Sequence, residues 1–162
     1  MKQVSTILFC LLIIAACAST ASKKKTLHDL TASDIKAAIF HKQQTIIDAI
    51  TERSRVAVLD ISSDDHELGV FATEEIIILL VQSRKFRILD RDSIETLLKE
   101  QNFQYSGFVN DETAVSIGKF IGASVIITGV IRQRHGQIDF SLKILDVETA
   151  EIIDLIPIPI LE

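Results

Sequence analysis

Tryptophan is absent, and the 162 residues hold only two prolines, two cysteines, one methionine and one tyrosine. So little proline, beside a 48% hydrophobic share and 26 isoleucines, excludes a disordered or collagen-like chain. Two cysteines cannot build a disulfide scaffold. Surplus positive charge is missing too. Lys and Arg number 17 against 22 Asp and Glu, a net charge of −5, which lacks the basic footprint of a nucleic-acid binder. The length suits one domain and not comfortably two.

Catalytic signatures are also wanting. His28, His41, His66 and His135 are scattered. Asp64-Asp65-His66-Glu67 reads as helix capping, because adjacent ligands on a loop rarely close a metal site. Gly118-Lys119 lacks the upstream glycine and the following Ser or Thr of a phosphate loop. Nucleophile elbow, zinc pattern and dinucleotide fingerprint do not occur. These features point to a protein that is not an enzyme, with no metal, no small-molecule substrate and no nucleic-acid partner.

What is present begins at the N-terminus. Met1-Lys2 gives a positive start, and residues 7–16 are an unbroken apolar run. A transmembrane helix needs about 20 apolar residues, so this run fits the apolar segment of a secretory signal. It ends Ile14-Ala15-Ala16-Cys17, which resembles the bacterial lipobox. Residues 1–17 are thus expected to be a lipoprotein signal peptide, with Cys17 the lipidated residue. The covalent lipid on Cys17 (palmitate among its acyl chains) is the only cofactor expected. Several acyl chains together give stable membrane attachment. Ala18 follows the cysteine, where Asp suggests inner-membrane retention in many bacteria, so the lipobox implies the outer membrane with the domain in the periplasm. Residues 18–32 read as a tether, able to reach about 50 Å when extended.

Residues 33–162 read as one α/β domain with an N-terminal helix. Ser33 can cap a helix to about Thr51, with Ile35, Ile39, Ile46 and Ile50 on one face. Residues 55–61 (RVAVLDI) predict a strand, 67–83 a helix apolar nearly all round, and 85–89 a second strand. That order implies a parallel βαβ start. Asp92 can cap a third helix. Asn110 and Gly122 bracket a fourth. Residues 124–134 and 137–146 predict strands joined at His135-Gly136, and 151–156 a last strand, beyond which Pro157 and Pro159 bar regular continuation. The expected fold is a single mixed sheet, parallel at its start and an antiparallel meander at its C-terminal end, with helices packed on it.

Within that frame, Asp90-Arg91, Glu100-Gln101, the loop 103–107, Ile117-Gly118-Lys119, Gly122-Ala123, Thr128-Gly129 and Asp146-Val147-Glu148-Thr149 stand in an order that resembles the CsgG/HfaB family. The resemblance covers about residues 55–153. It implies a CsgG-like envelope lipoprotein of the kind found in curli assembly and transport. The channel members of that family insert two membrane hairpins per subunit. At the first position this sequence has only residues 134–137, and after the second about ten residues remain; a membrane hairpin needs two strands of about 9–11 residues. A complete secretion channel is therefore not expected.

The resemblance instead implies a non-catalytic protein-binding or assembly factor, such as a transport accessory. Similar minimal domains occur in LpoB-type activators of peptidoglycan synthases (penicillin-binding proteins) and in FlgO-like flagellar lipoproteins. The expected partners are envelope proteins, including further copies in a ring. Phe103, Tyr105 and Phe108 are the candidate partner-binding residues, since aromatics are enriched at interface anchors. Ile156, Ile158, Ile160 and Leu161 form an apolar tail that either packs on the helices or adds to a neighbour's sheet edge.

Overall fold

The computed structural model describes residues 26–100 and 109–160. After a 3-10 turn at Leu27–Asp29, the chain forms α1 (Ala32–Asp48), β1 (Arg55–Ser63), α2 (His66–Ser83), β2 (Arg87–Ile88) and α3 (Arg91–Glu100). It continues as α4 (Asp111–Ile121), β3 (Val125–Arg134), β4 (Gln137–Asp146) and β5 (Ile152–Pro157). The five strands lie in the order β2-β1-β3-β4-β5. β1 pairs parallel with β2 and β3; β3–β4 and β4–β5 are antiparallel. The expected mixed sheet, parallel first and then a meander, is the one found.

Each face of the sheet holds its own apolar core. On one face α1 and α2 bring Ile35, Ile46, Ile76 and Leu80 against Val58, Ile127, Leu142 and Ile156. On the other, α3 and α4 bring Ile94, Leu98, Ala114 and Ile117 against Ala57, Leu59, Ile126 and Leu145. Burying each of the Ile, Leu and Val side chains stabilises by about 1.5–3 kcal/mol. The close approach of α4 to the sheet requires Gly118: a Cβ there would sit 2.7 Å from both Ile126 Cδ1 and Val147 Cγ2.

A β-bulge in β1 fits these two cores together. Val58 pairs with Ile127 and Ile61 with Gly129, so three steps along β1 oppose two along β3. Strict alternation would turn Ile61 to the face of Leu59; the extra residue returns it to the face of Val58. A bulge also detaches a backbone group from the ladder. Here Thr73 Oγ1 on α2 accepts from the Ile61 N–H at 3.0 Å and donates to the Gly69 carbonyl at 2.9 Å. Thr73 is the one fully buried polar side chain among the described residues.

Several expectations shift. The tether does not run to residue 32: Leu27 and Leu30 are 7% and 8% exposed and belong to the first core. Thr31, not Ser33, caps α1, because Asp34 returns a bond to Thr31 N–H and closes a capping box. Asp90 accepts from the Ser93 N–H and hydroxyl at the start of α3, the place expected for Asp92. Those two bonds hold its carboxyl below the usual carboxylate range. β2 is regular only at Arg87–Ile88, although backbone bonds to β1 extend from Lys85 to Leu89. Helix α2 is covered on several sides, by the sheet and by α1, while Ile78 and Val81 stay exposed at 44% and 54%. Of the two readings of the tail, packing on its own domain is seen. Ile156 and Ile158 are buried, and Ile160 packs against the same core.

Candidate functional site

Cys17, Phe103, Tyr105 and Phe108 lie outside the described residues. The structure does place the two ends of the aromatic segment. Helix α3 ends at Glu100, and the chain is described again from Val109, which packs against the second core. Asn110 then caps α4 by accepting from the Thr113 N–H at 2.8 Å. Both helices cover only one end of their sheet face, over Ala57, Leu59, Ile126 and Leu145.

Among the described residues, nothing covers the rest of that face. Its floor is a depression of about 240 Å³ lined by Ser62, Val109, Thr128, Val130, Ser141 and Leu155, among others. Charged side chains frame it in pairs. Lys143 Nζ donates to both Asp111 carboxylate oxygens, at 2.7 and 2.9 Å. Arg132 Nε donates to Asp139 at 3.2 Å. Arg91 pairs with Asp60, which the β1 bulge presents on this side, and donates to Glu95 at 3.2 Å. A second hollow of about 290 Å³ lies beside this cluster, between His66 and Val70 of α2 and Arg91, Glu95 and Leu98 of α3. The arrangement is a partly wet sheet face with fixed charge pairs, suited to contact with another surface.

The acidic run at the start of α2 acts as a cap: Asp65 accepts from the Glu67 and Leu68 N–H groups. No group of three or more potential metal ligands occurs among the described residues. The turn after β4 is built likewise, with Asp146 accepting from the Glu148 and Thr149 N–H groups at 2.8 and 2.9 Å. The bond from Thr149 is the main reason its carboxyl stays below the ordinary value; burial opposes it.

Edge strand β5 carries exposed apolar groups that the sequence reading did not single out: Ile152, Ile153 and Leu155 are 52%, 43% and 57% exposed. The alternation of Ile153 and Leu155 with Ile156 and Ile158 was the available signal; Ile152 lies beyond a register shift in the β4–β5 ladder. The edge is nevertheless guarded. Leu155 N–H donates to Asp154 Oδ1 at 2.7 Å, and Pro157 has no N–H to offer. Both features discourage strand addition. Phe40, 67% exposed on α1, is a further surface aromatic not anticipated.

The β3–β4 ladder runs without interruption from Val125↔Asp146 to Arg134↔Gln137. His135 and Gly136 close it, both at positive φ (49° and 73°), as a two-residue hairpin turn demands. No helix among the described residues is long and apolar enough to cross a membrane.

A family profile described as "Curli production assembly/transport component CsgG" matches residues 42–139, more than half of the chain. No curated protein sequence matches. Among solved structures, the LpoB C-terminal domain from Escherichia coli is similar, at 18% identity and a TM-score of 0.65 over 76% of this chain and 96% of that one. The LpoB C-terminal domain from Salmonella enterica shares 16% identity, with a TM-score of 0.66 over the same two shares, 76% and 96%. Lipoprotein GNA1162 from Neisseria meningitidis shares 8% identity, with a TM-score of 0.51 over 64% of this chain and 77% of that one. At these identities the likeness is one of fold.

Proposed function

The chain belongs to the CsgG family, and on that premise we propose that it is a non-catalytic envelope lipoprotein whose domain binds and helps assemble protein partners. In this reading Cys17 carries the lipid, the anchor lies in the outer membrane, and the domain stands in the periplasm. The uninterrupted β3–β4 hairpin carries the argument: at the position where the family's channel members insert a membrane hairpin, a two-residue turn closes the ladder. An accessory or scaffold within a transport assembly fits that better than a self-sufficient pore. The guarded β5 edge and the charge-framed sheet face favour contact through side chains.

Three measurements test the proposal. Palmitate incorporation is expected in the wild type and absent in Cys17→Ala; unchanged labelling would remove the anchor. Purified protein in planar bilayers is expected to give no ion conductance, and steady conductance would restore the pore. Tyr105, the only tyrosine, is the partner-binding residue to replace first: Tyr105→Ala is expected to weaken partner binding and leave the fold's melting temperature unchanged.

A second reading is activation of a peptidoglycan synthase, as in LpoB-type proteins. Likeness to two LpoB C-terminal domains over 96% of their length supports it. It predicts faster glycan-strand polymerisation when the protein is added to penicillin-binding proteins. No acceleration across a panel of such synthases would leave the assembly reading, including a FlgO-like flagellar setting, in possession.

A further inference from the structure

In a chain of net charge −5, four of the seven arginines gather at one end of the sheet. Arg55 and Arg87 are register partners on the parallel strands β1 and β2, so their side chains leave the same face side by side. Arg53 is bound to the same edge, its N–H donating to the Lys85 carbonyl at 2.8 Å. Arg84 ends α2 in the left-handed conformation, φ 57°. All four are exposed. Among the described residues none of them makes an ion pair, whereas Lys85 between them reaches Glu52 at 3.7 Å and Asp48 at 4.0 Å.

This concentration is unfavourable for the isolated fold. Like charges directly opposite on neighbouring strands destabilise a sheet. Helix dipoles account for part of the placement: Arg84 follows the C-terminus of α2, and the Arg55 guanidinium lies beside Gly122 at the end of α4. Arg53 and Arg87 lie in no helix. The residue type is informative as well. A guanidinium presents a flat fork of donors that matches a carboxylate, which an ammonium does not.

Direction separates the candidate occupants. Leu27 N–H donates to Gln133 Oε1 at 3.4 Å, so the chain comes into the domain beside the C-terminal end of β3. The arginines stand at the other end of the sheet, about 30 Å away along β3 at ~3.3 Å per residue. A domain tethered through its N-terminus turns that end away from the anchoring membrane.

We infer that the Arg53–Arg55–Arg84–Arg87 end is the docking surface for an acidic face of a protein partner. The direction argument rests on the N-terminal anchor proposed above; the charge argument does not.

The test uses the full chain in detergent, with a fluorescein-labelled decaglutamate peptide as probe at low ionic strength. Arg53→Ser/Arg87→Ser is expected to bind the peptide at least tenfold more weakly than the wild type. Lys42→Ser/Arg134→Ser removes the same charge elsewhere and is expected to bind within twofold of it. Thermal melting of Arg87→Ser should be no lower than the wild type, because a like-charge pair has gone; a purely structural arginine would lower it. Equal losses in the two double variants would overturn the inference. So would tighter binding of monomeric dihexanoyl-phosphatidylglycerol than of the peptide, which assigns the arginines to lipid. Self-association in sedimentation that vanishes in Arg53→Ser/Arg87→Ser would assign them to a second copy. Intact mass reads acylation separately. Peptide binding by an unacylated chain would retire the anchor and leave the arginine surface standing.

Discussion

Replacing Thr73 by valine tests the account of the β1 bulge. The two side chains have nearly the same shape, and the site is fully buried. Valine keeps the methyl contacts and removes the hydroxyl. The Gly69 carbonyl loses a bond of 2.9 Å but keeps the i+4 backbone partner of every helical carbonyl. The Ile61 N–H loses the 3.0 Å acceptor it has in place of a ladder partner. A buried donor left without an acceptor costs about 1–3 kcal/mol. Each kcal/mol lowers the melting temperature by roughly 3–5 °C in a fold of this size. Thr73→Ser makes the contrast. It keeps the hydroxyl and loses a methyl group, worth about 0.8 kcal/mol. The expected order of stability by urea or thermal unfolding is wild type, then Ser, then Val. Hydrogen exchange should find the Ile61 amide faster in Thr73→Val. A valine variant as stable as wild type, or more stable than the serine variant, would refute the reasoning, because simple burial predicts that order.

Three further outcomes follow from local geometry. Ala150 holds φ 61° in the turn before β5. Ala150→Gly should raise stability by about 0.5–1 kcal/mol, the ~1–2 kcal/mol of relieved left-handed strain less the entropy of glycine, read by chemical denaturation. Gly118→Ala should lower it by about 1–3 kcal/mol through overpacking against Ile126 and Val147; no loss in the melting curve would show that α4 can lift away. The lowered pKa of Asp146 means that its ionised form favours the fold. That stability is present above the unfolded carboxylate value of 3.8 and is lost as pH falls through the lower folded value. Asp146→Asn should be less stable than wild type at pH 7, with the gap narrowing below about pH 4; a gap independent of pH would count against the charge argument.

The parts of the fold that were legible carried their own local punctuation. Asn110 and Gly122 bound α4 as the sequence indicates, since one is a good N-cap and the other suits a left-handed end. Strand β4 has the predicted limits because its alternation lies between two turns. The bulge was not legible. Leu59-Asp60-Ile61 reads as continuous alternation, and only α2 and the opposing Gly129 register show that Ile61 has changed face. Nothing in the sequence separates Leu27 and Leu30 from a tether, because two isolated leucines in a polar stretch carry no period. Thr31 and Ser33 are both capping types, and the reciprocal bond from Asp34 decides between them. The four arginines are spread over residues 53–87, and parallel register brings them together. Cys17, Phe103, Tyr105 and Phe108 remain readings of sequence.

The turn at Leu27–Asp29, pinned by the buried Leu27 and followed by the buried Leu30, has a mechanical consequence. Any tension on the chain before Thr26 enters the fold through two leucines and a 3.4 Å bond to Gln133, not through the five-stranded ladder. That clasp holds far fewer backbone bonds than the sheet, so tension is expected to peel it before the ladder. Its release would free residues 26–31, about 20 Å of extended chain at ~3.4 Å per residue, and take only Leu27 and Leu30 out of the first core. A chain held by its N-terminus would in this way gain reach before the sheet itself is loaded.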